Sequence, residues 1–330
     1  MRVAETKWRA TASKAGPHCI QLHDFTKQDE QEIGTMEWTP GGMSNDVEDR
    51  RGDSGGGGGF LPFGGGGLGI IGVIVLVVLS LVTGHNFLGL LGVGGGTPQT
   101  QTRQSSGPVQ ESADEHRDTQ LLSFVLDDAQ KFWTEDLPQQ MGRPYRHAKL
   151  VLFRNQTQSG CGAAQEATGP FYCPEDERVY IDLDFWDDLK RLGGNTADFS
   201  QAYVLAHELG HHVQNILGIE QKAQQMMQDR SQRSRASVEL ELQADCFAGV
   251  WGHSMQQRGK LDPDDLQEAL KNAAAVGDDH IQKMERGTVS PESWTHGSSA
   301  ERQGWFSRGM TTGDARQCNT FQAGPDGYQQ

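Results

Sequence analysis

Hydrophobic residues recur at helical spacing in several stretches of the chain and alternate with polar residues in others. Steps of three and four residues between apolar side chains predict amphipathic helices, and strict alternation predicts strands with one buried face. The predicted helices are 119–137, 199–217, a stretch around 239–245, 263–274 and 299–310, and the predicted strands are 147–153 and 179–185. The pattern therefore predicts an α+β fold, mainly helical with a small β-sheet, in one domain over residues 119–321.

The helix predicted at 199–217 contains the pentad His207-Glu208-Leu209-Gly210-His211. Four residues make about one helical turn, so the two imidazoles lie on one face and can share a metal ion. Glu208 stands beside them, where it can act as a general base. A surface helix with chance histidines would look the same, since the chain has 11 His, but the apolar stripe favours a buried helix. His212 points off the metal-facing side and is expected to be structural.

A zinc site of this type needs a third protein ligand and keeps one position open. We predict that Glu241 is this ligand and that Asp245, one turn later on the same face, orients a ligating histidine. Glu239 lies about 200° around the helix from Glu241, so only one of the two can face the site. The alternative is a solvated acidic face, but the residues that follow Asp245 are apolar, which favours a paired or metal-bound carboxylate.

Four blocks of sequence carry a resemblance to a known family. They are GPFYCPEDERVYIDLDFWDDL, AYVLAHELGHHVQNILG, ELQADCFAGVW and SWTHGSSAERQGWF. Together they resemble the putative neutral zinc metallopeptidase family of bacteria, from about Met36 to Phe321. The ELQAD block is also similar to that of the membrane-embedded Ste24/HtpX-type zincins, where this Glu is a zinc ligand. The resemblance implies a zincin-like domain with Zn²⁺ as cofactor and a peptide or protein as substrate.

A long apolar segment precedes this domain. Residues 54–102 contain no Asp, Glu, Lys or Arg, and residues 68–93 are apolar enough to cross a bilayer, which takes about 20 residues. A cleaved signal peptide would begin nearer the N-terminus, with a basic region before it and a small-residue site after it. A buried core helix is disfavoured by the Gly-rich flanks. We therefore predict one transmembrane helix that contacts the lipid bilayer through residues 68–93.

The basic residues and the cysteines predict the orientation of this anchor. Arg50 and Arg51 precede the span, whereas the first basic residue after it is Arg103, which favours a cytoplasmic N-terminus. Four cysteines follow, an even number that suits an oxidising compartment. Of the three pairings open to them, we predict Cys161–Cys173 and Cys246–Cys318. The expected location is the bacterial cytoplasmic (inner) membrane, single-pass, with a periplasmic catalytic domain.

The segments outside the domain are low in complexity. Residues 1–67 are predicted to be a disordered Gly-rich tail, residues 94–118 a flexible linker and residues 322–330 a C-terminal tail. Residues 1–35 show neither periodicity nor family resemblance, so we hypothesise that Met1 is a mis-assigned start and that translation begins at Met36. Such a start would also remove Cys19.

Two further roles are predicted less directly. A peptidase needs a donor for the oxyanion of the tetrahedral intermediate. His296 is the first candidate, ahead of Tyr203 and His280, although residues 295–299 also suit a helix cap. By analogy with zincins, strand 179–185 could be the edge strand that pairs with an extended substrate, or it could be an ordinary sheet strand.

The formal net charge of −15 argues against a nucleic-acid partner, whose phosphates require a basic surface. The function predicted from the sequence is a membrane-anchored zinc-dependent endopeptidase with Glu208 as general base. The alternative is a non-catalytic, membrane-anchored zinc-binding or adaptor protein of the cell envelope. A third interpretation, a soluble secreted protease, requires removal of residues 68–93.

Overall fold

The computed structural model describes residues 36–53, 109, 111–165 and 169–322. Helices form where the apolar periodicity predicts them, so the mainly helical α+β class is confirmed. The α-helices of this part are α1 (Ala113–Met141), α2 (Phe185–Arg191), α3 (Asp198–Leu217), α4 (Ile219–Met227), α5 (Arg233–Gln257), α6 (Pro263–Ala275), α7 (Asp278–Arg286) and α8 (Ser299–Thr312). Short 3₁₀ turns follow at Pro291–Ser293, Ala315–Gln317 and Thr320–Gln322.

The strands of the described residues form one four-stranded sheet and one hairpin. They are β1 (Val47–Asp49), β2 (Lys149–Phe153), β3 (Gln156–Ser159), β4 (Gly162–Gln165), β5 (Phe171–Cys173) and β6 (Arg178–Asp182). The sheet order is β1-β2-β6-β5, with β1, β2 and β6 parallel and β5 antiparallel to β6. β3 and β4 pair antiparallel as a separate hairpin.

Of the two roles left open for strand 179–185, an edge strand or an ordinary sheet strand, the structure shows the second. β6 ends at Asp182 and is paired on both sides, with Val151 of β2 and Phe171 of β5 both opposite Tyr180. Phe185 already begins α2. The alternation in residues 179–185 reflects the two differently packed faces of the strand. It does not indicate how many other strands pair with it. Within the described residues, β1 and β5 form the edges.

The predicted disordered tail is wrong for residues 36–53, which are folded against the domain. Met36 is buried, and its backbone N–H donates to Asp265 at 3.0 Å. β1 contributes a strand to the sheet. Periodicity did not predict this strand because it has only three residues and lies between Gly-rich stretches. The predicted linker 94–118 likewise extends too far toward the C-terminus, because α1 already begins at Ala113, with Ser112 as its N-cap.

The core around the predicted metal site consists of α3, α5 and α8. α5 and α8 approach each other so closely that a Cβ on Gly309 would overlap the carbonyl of Cys246. Phe199 on α3 stacks on Trp251 of α5 and also meets Phe306 of α8. Glycines at the helix contact and aromatic rings around it therefore fix the spacing of the three helices.

The predicted membrane anchor, 68–93, lies outside the described residues. In the part of the chain that the structure describes, none of the helices combines the length and the apolar composition needed for a bilayer crossing.

Candidate metal centre

Three predicted ligands from two helices converge at one point. His207 and His211 project from α3, and Glu241 projects from α5. One ligand atom from each lies within 4.8 Å of the other two. Glu241 places one carboxylate oxygen 3.2 Å from Nε2 of His207 and the other 3.6 Å from Nε2 of His211. The ring planes of the two histidines are nearly perpendicular, and their centroids lie 4.8 Å apart.

Gly210, the fourth residue of the pentad, lets the two helices come close enough for this arrangement. A Cβ at this position would lie 2.9 Å from the carbonyl oxygen of Ala244 and 3.0 Å from its Cα. Both contacts are to backbone, which cannot rotate away. A side chain at residue 210 would therefore separate α3 from α5 and move Glu241 away from the histidines.

The two histidines face Glu241 with their Nε2 atoms because their Nδ1 atoms are already engaged. Nδ1 of His207 lies 2.8 Å from the Asp245 carboxylate, and Nδ1 of His211 lies 2.8 Å from the side-chain oxygen of Gln214. Ionised carboxylates and amide oxygens only accept, so both Nδ1 atoms carry the proton. The Gln214 amide is itself fixed, since its nitrogen donates to the backbone of Leu240 at 2.8 Å.

This donor set fits zinc. Two imidazole lone pairs and a carboxylate are the ligands that catalytic zinc sites use. The Nε2 atoms lie 3.2 and 3.6 Å from the two carboxylate oxygens of Glu241, so a cation that replaces the proton between His207 and Glu241 would be attracted by all three groups. Sequence reasoning placed Asp245 correctly against His207, but it missed Gln214.

Asp245 is held by a buried arginine that sequence reasoning also missed. Arg302, on α8, donates to both carboxylate oxygens of Asp245, from Nε at 2.8 Å and from Nη2 at 2.9 Å. Tyr203 donates its hydroxyl to Asp245 at 2.6 Å, so this candidate for oxyanion stabilisation serves the carboxylate instead. The sequence does indicate that Arg302 faces the core, because it lies four residues before Phe306 on the apolar face of a predicted helix.

Burial and charge act in opposite directions on these groups. Burial opposes ionisation of Asp245, but Arg302 and His207 prevail and lower its pKa to about 2. Burial likewise opposes protonation of His207, yet Asp245 and Glu241 raise its pKa to about 10. The pKa of Glu241 falls below its usual range because burial is outweighed by His211 and His207. A pocket that stabilises positive charge this strongly also favours a metal cation.

Glu208 is buried beside the three ligands. Burial raises its pKa above the ordinary value, against the opposing effect of His207 and His211. A carboxylate with a raised pKa accepts and returns a proton more readily near neutral pH than a solvated one.

His296 lies in a loop that α5 positions near the ligands. Ser234 and Ser237 of α5 donate to the carbonyls of Trp294 and Thr295 at 2.6 and 2.9 Å. Burial lowers the pKa of His296, but Asp278 and Glu241 outweigh it, so the pKa lies above its usual value. The predicted cap is also present, since Ser298 forms a capping box with Glu301 at the start of α8.

The other polar candidates lie elsewhere. His212 is fully buried, and its partners are the Tyr172 hydroxyl and the carbonyl of Arg146. His280 contacts the carbonyl of Leu192 and is not one of the three residues at the metal position. Glu239 pairs with Arg235 at 2.7 Å, which leaves Glu241 as the carboxylate that faces the histidines.

Both predicted disulfides are present. Cys161–Cys173 joins the turn of the β3–β4 hairpin to the edge strand β5, with a Cα–Cα distance of 5.8 Å. Cys246–Cys318 joins α5, one residue after Asp245, to the C-terminal segment. The second bridge therefore fastens the chain end directly behind the metal position.

Two histidines one helical turn apart and a glutamate from a second helix form a donor set that suits zinc. The chain belongs to the family described as putative neutral zinc metallopeptidase, which matches residues 36–321. Zn²⁺ is the cofactor that this family implies, and the His207, His211 and Glu241 geometry fits it.

Two relatives show how far the similarity extends. The uncharacterized protein YpfJ of Escherichia coli (strain K12) is 48% identical over 293 residues, which cover 87% of this chain and 99% of the relative. The uncharacterized protein Rv2575 of Mycobacterium tuberculosis is 45% identical over 190 residues, which cover 54% of this chain and 64% of that protein. No solved structure matches the chain.

Proposed function

We propose that this protein is a zinc-dependent endopeptidase that acts outside the cytoplasm. The observation that carries the proposal is the convergence of His207, His211 and Glu241 next to the buried Glu208. Three protein ligands leave one coordination position for water or substrate, which is the arrangement of catalytic rather than structural zinc sites.

Zinc at this position would polarise the scissile carbonyl and lower the pKa of a water molecule. The residues of the chain supply the rest of the chemistry. Glu208 accepts the proton of the attacking water and passes it to the leaving amine. His296, whose pKa is raised by Asp278 and Glu241, donates a hydrogen bond to the oxyanion.

The strand that pairs with the substrate is β5 in this proposal. β5 forms an edge of the described sheet, and it is anchored to the pentad helix by the Asn215 side chain, which donates to the Tyr172 hydroxyl at 2.9 Å. The Cys161–Cys173 bridge holds its last residue. An extended peptide can add to such an edge through backbone hydrogen bonds, which bind many side-chain sequences equally.

The disulfides support an extracytoplasmic location, because such bonds persist in oxidising compartments. Attachment to the inner membrane through residues 68–93 is part of the proposal and rests on the length of that apolar segment.

The decisive test compares Glu208→Gln with the wild-type protein. We expect the variant to keep one zinc per chain and to lose about 10²–10⁴-fold in cleavage of an unfolded protein substrate, because only proton transfer is removed. Zinc content is measured by metal analysis and cleavage by release of new N-termini. A chelator should abolish wild-type cleavage and added zinc should restore it.

Glu239→Gln is the matched control, since Glu239 lies on the ligand helix but faces Arg235. It should keep both zinc and cleavage. Full cleavage by Glu208→Gln would refute the mechanism. Zinc binding by the wild-type protein without any cleavage would favour the rival function, a non-catalytic zinc-binding protein of the cell envelope.

A further inference from the structure

The segment before the long apolar stretch is an integral part of the folded domain. Backbone contacts hold its first residues, as Glu37 donates its N–H to the carbonyl of Lys260 at 2.8 Å. The Trp38 indole donates to Asp198, the first residue of the pentad helix, at 2.7 Å. These bonds join the segment to the helix that carries the metal ligands and to the loop after the ligand helix α5.

The central sheet includes the same segment. Val47, Glu48 and Asp49 pair in parallel with Leu150, Val151 and Leu152. The ladder continues past the strand, since Arg50 donates its N–H to the carbonyl of Leu152 at 2.7 Å. Without β1, β2 would have no partner on the side opposite β6, and its backbone groups there would be unpaired.

A buried ion cluster joins residue 51 to the start of α1. Arg51 is only 5% exposed. Its guanidinium lies 2.9 Å from Glu111, just before α1, 3.2 Å from Glu115 in the first turn of α1, and 2.7 Å from Asp49. Because a buried arginine is destabilising without its carboxylates, these contacts hold residues 49–51 and 111–115 in one place.

One crossing of a membrane by residues 68–93 would put residues 36–53 and 111–322 on opposite sides of a hydrocarbon layer about 30 Å thick. The parallel pairing of β1 and the ion pairs of Arg51 do not survive such a separation. We propose that residues 36–53 and 111–322 lie on the same side of any membrane that residues 68–93 contact. This arrangement disagrees with the single-pass topology expected from hydropathy and basic residues, which puts the two parts on opposite sides.

The first experiment labels introduced cysteines in intact cells that produce the full chain. Met43 and Met284 are half exposed, at 50% and 55%, and lie on the two parts in question. Met43→Cys and Met284→Cys are each made in a Cys19→Ser background, and the background protein is the control for the disulfide cysteines. A membrane-impermeant maleimide is added before or after lysis.

We expect the same outcome for both positions, either labelling in intact cells or labelling after lysis only. Labelling of one position in intact cells and of the other only after lysis would overturn the proposal. Because the readout is accessibility, it is independent of peptidase activity, and failure of the proposed function would leave it unchanged.

A second experiment needs no substitution. The Lys149 amine lies 2.7 Å from the Asp46 carboxylate, so a carbodiimide should join the two in native membranes by forming an amide with loss of water. Mass spectrometry should detect the Asp46–Lys149 peptide pair. The Asp187–Lys190 pair at 3.1 Å is the positive control. Absence of the first product in samples that contain the second would overturn the proposal.

Discussion

His207 and His212 lie on the same helix, five residues apart, and both are buried, yet their surroundings favour opposite protonation states. His207 faces the carboxylates of Asp245 and Glu241, which raise its pKa to about 10 against the effect of burial. His212 faces a phenol and a backbone carbonyl, and burial lowers its pKa below the ordinary value.

The difference shows what makes a histidine a metal ligand in this fold. The Arg146 carbonyl only accepts, so Nε2 of His212 donates to it and Nδ1 accepts from Tyr172. Both nitrogens are thereby used. At His207, Asp245 uses only Nδ1 and leaves Nε2 facing a second carboxylate, that of Glu241. Buried carboxylates, rather than burial itself, create the place for a cation.

The largest expected effect is that substitution of His207 abolishes zinc binding, whereas substitution of His212 does not. His207→Ala should abolish stoichiometric zinc binding and cleavage because it removes a ligand. His212→Gln should keep zinc, since its partners are Tyr172 and Arg146. Metal analysis of the folded fraction checks both. Zinc loss in His212→Gln with an unchanged circular dichroism spectrum would contradict the comparison.

Arg302→Met should lower the free energy of unfolding by about 3–5 kcal/mol, because it leaves the buried Asp245 without its charged partner. Adding Asp245→Asn to this variant should recover part of the loss, since the uncompensated charge is then removed. Denaturant titration of the four proteins of this cycle provides the measurement. Simple additivity of the two losses would show that Arg302 does not act through Asp245.

Asp245→Asn alone should weaken zinc binding by about 10–100-fold, because His207 loses the carboxylate that orients it and raises its basicity. Competition with a zinc chelator gives the affinity. Glu239→Gln changes a carboxylate of the same helix that pairs with Arg235 instead, and it serves as the matched control. Equal affinities in wild type and Asp245→Asn would remove Asp245 from the site.

The smallest effect is expected at the partner of His212. Tyr172→Phe removes the hydroxyl that bonds to His212 and Asn215, and it should cost about 1–2 kcal/mol of stability. Zinc content should not change. Thermal unfolding of the zinc-loaded protein checks the stability, and a lowered zinc content would link the two faces of the helix that the comparison separates.

Much of the candidate site could be predicted from the sequence because its parts are local. His207, Glu208 and His211 lie within one turn, and Glu241 and Asp245 within another, so helical periodicity alone assigns each set to a face. The same periodicity showed that only one of Glu239 and Glu241 can face the site, and Glu241 was chosen because Asp245 lies one turn later on its face. The two cysteine pairs were predicted as well, the first from its short loop.

The supporting residues could not be predicted in the same way. Gln214 and Arg302 act through contacts between helices, and no periodicity specifies which side chain of α8 meets Asp245. The sequence left open whether strand 179–185 is an edge strand, because alternation identifies a strand and its faces but not its neighbours in a sheet.

The sequence by itself determined the pentad, the third ligand, the helices that carry them and the family resemblance, since these depend on spacing along one element. Only the tertiary structure decided that β1 belongs to the four-stranded sheet, that β5 is an edge of that sheet beside the pentad helix and that Arg51 pairs with Glu111 just before α1. The physical reason is that strand pairing and buried ion pairs join residues far apart in the chain. Their partners are chosen by packing in three dimensions, which local patterns of hydrophobic and polar residues do not record.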